Sequence, residues 1–144
     1  MSIVLYTGGT FDIPHYGHYE FLKKCKKIAD EVVVSLNRDE FVEKYKGKRP
    51  IMSLHEREKT LMHCKYVDGV IVNTGDEDSK PSILELMPDL IAVGSDWACK
   101  DYYKQMNFTE RWLDYHGITL LYIPYGESGI STTEIKRRVL ENDK

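Results

Sequence analysis

The sequence predicts an α/β domain with a five-stranded parallel sheet between two layers of helices. Short β-rich apolar runs alternate with amphipathic stretches of helical period along the 144 residues. Glycine, proline and polar clusters punctuate the chain between them. Runs such as Val32, Val33 and Val34 are continuously apolar, which suits strands buried on both faces and joined by crossover helices.

Taken in order, residues 3–6 form the first strand, which runs into Thr7, Gly8 and Gly9. Pro14 disfavours helix at Ile13 and suits an extended approach to a turn. Over residues 18–29, Phe21, Leu22, Cys25, Ile28 and Ala29 recur at helical spacing opposite a lysine-rich face. Residues 31–36 are the second strand, 38–45 a short polar helix and 46–50 a basic loop. Ser53 with Glu56 makes a capping box opening a helix to about residue 65. A third strand (67–72), a helix (80–86) stopped near Pro88 and a fourth strand (90–93) follow. The next helix (109–116) closes at Gly117 before a fifth strand (118–123). Ser131 and Glu134 make a second capping box, opening a last helix to about residue 141. With no repeat or long linker, residues 1–144 read as a single domain.

Composition narrows the function classes. A net charge of −3 carries no general nucleic-acid or polybasic membrane signature. No apolar run approaches the roughly 20 residues of a spanning helix, and no leader pattern opens the chain. Membrane insertion and nucleic-acid binding are not expected. Cys25, Cys64 and Cys99 are scattered and form no CxxC pair, which suits a reducing, cytoplasmic setting and neither a disulfide framework nor a zinc ribbon.

Open parallel sheets bind ligands beyond the carboxyl ends of their strands. There the segment from Thr7 to His18 is the densest in functional side chains. Gly8 and Gly9 let backbone approach a ligand. Thr10 and Phe11 offer backbone N–H groups to a phosphate. His15 and His18, three apart at a helix start, place both rings on one face beside a partly positive helix end. Such donors suit the charge that develops in phosphoryl transfer. The rival readings are a glycine turn with capping histidines and a two-histidine metal site, which lacks a nearby third ligand except Asp12. Gly129, Ile130, Ser131, Thr132 and Thr133 precede the last helix, where hydroxyls and free N–H groups either cap it or hold a triphosphate as well. The basic cluster Lys44, Tyr45, Lys46, Gly47, Lys48 and Arg49 is a solvated loop or a lid over phosphates. Asp12, Asp96 and Trp97 line a base or acceptor pocket, or Trp97 packs at the rim.

Gly9-Thr10-Phe11-Asp12 followed by His15-Tyr16-Gly17-His18 resembles the signature of the cytidylyltransferase family within the HxGH nucleotidyltransferase superfamily. The resemblance implies a Rossmann-like fold, transfer of a nucleoside monophosphate from a triphosphate to a phosphate-bearing acceptor, Mg²⁺ with the nucleotide, and a homodimer. Gly129-Ile130-Ser131-Thr132-Thr133 resembles the second signature of glycerol-3-phosphate cytidylyltransferases, which touches the β- and γ-phosphates. Gly94-Ser95-Asp96-Trp97 is similar to their Gly-Asp-Asp-Trp stretch, with Ser95 in place of the first aspartate. Lys44-Tyr45-Lys46-Gly47 with Glu56-Arg57 resembles the choline-phosphate cytidylyltransferase pattern. That match implies Lys44 and Arg57 as catalytic cations, with Lys46 beside them. The chain departs from the glycerol-3-phosphate pattern at Tyr125, Gly126, Glu127 and Ser128, which stand where Arg-Thr-Glu is usual. An expected arginine is therefore absent there. The reading is CMP transfer from CTP to a phosphorylated alcohol, sn-glycerol 3-phosphate foremost. Its rivals are ethanolamine- or choline-phosphate cytidylyltransfer, adenylyl transfer to FMN or a sugar phosphate, and a catalytically silent nucleotide-binding module.

Overall fold

A computed structural model describes residues 2–125 and 129–143. Strands β1 (Val4–Gly9), β2 (Glu31–Asn37), β3 (Gly69–Asn73), β4 (Leu90–Gly94) and β5 (Thr119–Ile123) form one sheet in the order β3-β2-β1-β4-β5. Every pairing is parallel. The helices are α1 (Tyr16–Ile28), α2 (Asp39–Lys46), α3 (Leu54–Met62), α4 (Lys80–Leu86), α5 (Tyr102–Met106), α6 (Glu110–Tyr115) and α7 (Thr132–Asn142). This is the sandwich that the alternation of patterns predicts, Rossmann-like as the family resemblance implies.

Alternate residues of each strand face opposite layers. On one face Leu5, Val32 and Val34 pack with Leu22 and Cys25 of α1 and Leu61 of α3. On the other, Tyr6 and Ile91 pack with Ile83 of α4, Tyr102 of α5 and Leu113 of α6. Strand order reverses at β1, the position where such sheets open a crevice. β1 stays in register with β2 from Val4↔Glu31 to Gly9↔Leu36. With β4 it pairs only at Leu5↔Leu90 and Tyr6↔Ile91. Beyond those two pairs the strands separate.

Several boundaries differ from expectation for local reasons. α1 starts at Tyr16, because His15 is itself the cap. α3 ends at Met62 and the chain turns through residues 63–66, with the Cys64 N–H on the Leu61 carbonyl. β3 starts at Gly69; the Val67 N–H still bonds within that turn, to Cys64. Ser131 caps α7 through the Glu134 N–H. The Glu134 carboxylate does not return the bond and pairs with Arg137 and Arg138. The 3-10 turn Ser95–Cys99 and helix α5, five residues each, are too short to show a period. Ile13 is not extended but left-handed, at φ +48°.

Candidate active site

The gap between β1 and β4 opens into a cleft of about 820 Å³ at the carboxyl edge of the sheet. The first loop forms its floor. Phe11 and Ile13 hold φ +51° and +48°, conformations that side chains of this size adopt only when their surroundings impose them. Asp12 between them is buried and accepts the N–H groups of Ile51 (2.8 Å) and Met52 (2.9 Å). Its carbonyl accepts the Thr132 hydroxyl. Asp12 thus ties the first loop to the start of α3 and the start of α7, besides lining the cleft.

The two histidines build the α1 cap together. His15 Nδ1 accepts the Gly17 N–H at 3.1 Å, and His18 Nδ1 accepts the His15 N–H at 3.2 Å. With both Nδ1 atoms accepting, each neutral ring carries its proton on Nε2. The rings stack with centroids 3.9 Å apart. Burial, then the neighbouring His15, pulls the His18 pKa down to about 4, with Asp12 opposing. Burial also lowers that of His15. Near neutral pH both rings are therefore uncharged N–H donors. His18 lines the cleft. His15 lies behind it, with Nε2 enclosed and lacking a hydrogen-bond partner among the described residues. A Cβ on Gly17 would meet the His15 ring and Ile130 Cγ2 at 3.0 Å, so this glycine lets the two close together.

The other expected residues divide. Gly9, Thr10, Phe11, Lys46, Trp97, Thr132 and Thr133 line the cleft. Gly129 turns at φ +69° and Ser131 caps α7, so these two, with Ile130, shape the approach and are not among the lining residues. Asp96 is exposed beside Lys100 at 3.6 Å, outside the lining. Lys44 also lies outside it, its ammonium on Glu77. Arg57, expected on phosphates, is 0% exposed and bonded throughout to protein. Its Nε donates to the Met52 carbonyl (3.1 Å) and Nη1 to that of Thr10 (2.8 Å). Its Nη2 donates to the Asn37 carbonyl (2.9 Å) and to Asp39 Oδ1 (2.6 Å). Gly126, Glu127 and Ser128, the site of the departure from the glycerol-3-phosphate pattern, lie outside the described residues.

Sequence reasoning passed over Lys136, which lines the cleft with Nζ 3.5 Å from Asp12. Its spacing of four from Thr132 places it on the same helix face, a signal that was available. Asn37 and Asn73, paired in register at the ends of β2 and β3, also line the cleft, as does Tyr125. The strand-end rule points to the two asparagines. Lys46, Lys48 and Lys136 ring a cleft onto which α1 and α7 both direct their N-terminal turns. Cations, helix ends and imidazole donors together suit a polyphosphate.

The Cytidylyltransferase-like family model matches residues 6–138. The chain belongs to the cytidylyltransferase-like family. It is 36% identical over 147 residues to an FAD synthase of Thermococcus sibiricus, covering 97% of this chain and 94% of that protein. It is 34% identical over 134 residues to the glycerol-3-phosphate cytidylyltransferase of Bacillus subtilis, covering 92% and 94%. A lipopolysaccharide core biosynthesis protein of Thermoplasma volcanium has a similar structure, with TM-score 0.64, 27% identity, and coverage of 88% of this chain and all of that one. The cytidylyltransferase-like chain is thus an enzyme of nucleotidyltransferase type. None of its helices, among the described residues, is long and apolar enough to cross a membrane.

Proposed function

We propose that this chain transfers CMP from CTP to a phosphorylated alcohol, sn-glycerol 3-phosphate foremost, giving a CDP-alcohol and pyrophosphate. The observation that carries nucleotidyl transfer is the pair of imidazoles whose Nδ1 atoms are both committed to backbone, leaving Nε2–H donors. The choice of acceptor is supported by the Gly129 to Thr133 string and by the likeness to the Bacillus subtilis enzyme. An oxygen of the acceptor phosphate attacks the α-phosphorus of the nucleotide. The bond from that phosphorus to the bridging oxygen breaks, and pyrophosphate leaves. The acceptor oxygen is already anionic, so no strong base is needed. His18 donates to the α-phosphate, with His15 behind it. Thr10, Phe11, Thr132 and Thr133 orient the phosphates, and Lys46 and Lys136 neutralise them. Mg²⁺ is part of the proposal, as the family resemblance implies, and would be held by oxygens of the triphosphate. A homodimer belongs to the same proposal, and light scattering tests it.

Adenylyl transfer to FMN is the second reading. It is favoured by FAD synthases at 34–37% identity and by a cleft wall containing Trp97, Met106 and Tyr125, apolar enough for a flat ring. A matrix of four nucleoside triphosphates against glycerol 3-phosphate, ethanolamine phosphate, choline phosphate, sugar phosphates and FMN, read as pyrophosphate release, decides. Release with CTP and glycerol 3-phosphate is expected. Release only with ATP and FMN would replace this reading by the second. Tight nucleotide binding without any release would mean a silent module.

A further inference from the structure

The Thr10 carbonyl that Arg57 holds at 2.8 Å belongs to the peptide group leading into Phe11. That bond fixes the plane from which Phe11 departs at φ +51°. The Phe11 ring then occupies the space a Cβ on Gly9 would need, 2.9 Å away, and lies against His18 with centroids 5.0 Å apart and planes tilted by 48°. The same guanidinium holds the end of β2 through Asn37 and the start of α3 through Met52. For Arg57 to swing onto a phosphate it would strand three carbonyls and Asp39 without their donor.

We infer that Arg57 is a positioning residue that acts on His18 through Phe11: it locks the Thr10–Phe11 peptide, and the Phe11 ring sets the orientation and dryness of the imidazole. The charged and titratable groups facing His18, among the described residues, are His15 of its own helix, Asp12 of the first loop and, beyond Asp12, Lys136 of α7. The inference rests on the proposed transfer chemistry only for its turnover readout.

The test compares wild type, Arg57→Lys, Phe11→Leu and the double variant, each confirmed as folded by circular dichroism. Lysine keeps the charge and loses the planar fork that serves four acceptors. NMR of the His18 ring in ligand-free protein reads its titration midpoint, near 4 in wild type. Either single variant is expected to move the midpoint toward the ordinary histidine value by about one unit, and the double variant no further than the larger single one. Turnover is expected to fall about tenfold or more, with KM for the triphosphate within about twofold. A folded Arg57→Lys protein with the His18 midpoint unchanged would overturn the inference. So would a rise in KM that accounts for the whole loss, which is the mark of a direct phosphate contact. If Arg57→Lys does not fold, Phe11→Leu and Phe11→Ala decide, and an unmoved midpoint in both refutes the coupling. If no acceptor turns over, the proposed function falls while the ligand-free titration still judges this inference.

Discussion

Two helix N-termini meet the cleft, and they are built differently. α1 is capped by imidazoles and buries Phe21, Leu22 and Cys25 in the core. α7 is capped by a serine and has no fully buried residue, Ile135 being half-buried. Its Val139 and Leu140 are 61% and 69% exposed, and its Arg137 pairs with Glu134 and Glu141 on the surface. What ties α7 to the first loop lies near its start, where Thr132 and Lys136 both reach Asp12. The two ends offer the same partial charge to an anion, although the caps occupy different amides, that of Gly17 in α1 and that of Glu134 in α7. One is held by the core and, in the proposed mechanism, aims the reacting donors. The other is pinned near its tip by the Thr132 hydroxyl and, in the proposed mechanism, offers the Thr133 hydroxyl and a cation to phosphate oxygens that need only be gripped.

The largest way to break this comparison is at α1. His18→Ala is expected to lower kcat by about 10²–10³ with little change in triphosphate KM, since it removes a donor aimed at the reacting phosphate. Pyrophosphate release checks it, and unchanged turnover in a folded variant would sink the proposed mechanism. At α7 the expected effect is smaller and falls on binding. Lys136→Ala weakens triphosphate binding about tenfold, and less at high ionic strength, as read by calorimetry at two salt concentrations.

The pH dependence of stability sharpens the contrast further. His18 titrates near 4 in the fold, below its ordinary 6.5. Between those values the unfolded chain binds more protons, so stability rises with pH there. The contribution is fully present above about pH 6.5 and is lost as pH falls through about 4. Urea melts across pH 4–7 are expected to show this slope in wild type and a shallower one in His18→Gln. The smallest effect is expected from Ser131→Ala. Losing this cap costs about 1 kcal/mol locally. α7 amides should exchange severalfold faster while the global melting temperature scarcely moves, because α7 adds no residue to the core.

Much of the fold was legible because burial is periodic. Continuous apolar runs such as Val32 to Val34 had to be two-sided strands, and α4 falls at residues 80–86 as its pattern predicts. α5 was not legible, since five residues complete little more than one turn. In the site, the types and neighbourhood of His15, His18, Thr10 and Thr132 were readable from their places after strands and before helices. The destinations of Lys44 and Arg57 were not, for both sit in a segment whose family likeness says nothing about which carboxylate or carbonyl is nearest. Nor was the left-handed Ile13, where Pro14 alone argues for extended backbone; the bonds of Asp12 to Ile51 and Met52 impose the turn.

Sequence alone therefore determined the alternation of layers, the edge on which the cleft opens and the chemical kinds of group gathered there, because these follow from local period and from the rule for parallel sheets. Tertiary structure decided which of those groups face the cleft. It set His18 on the wall and His15 behind it, and turned Arg57 inward to carbonyls 47 and 20 positions away. A guanidinium goes where acceptors converge, and that convergence exists only once distant strand ends have been brought together.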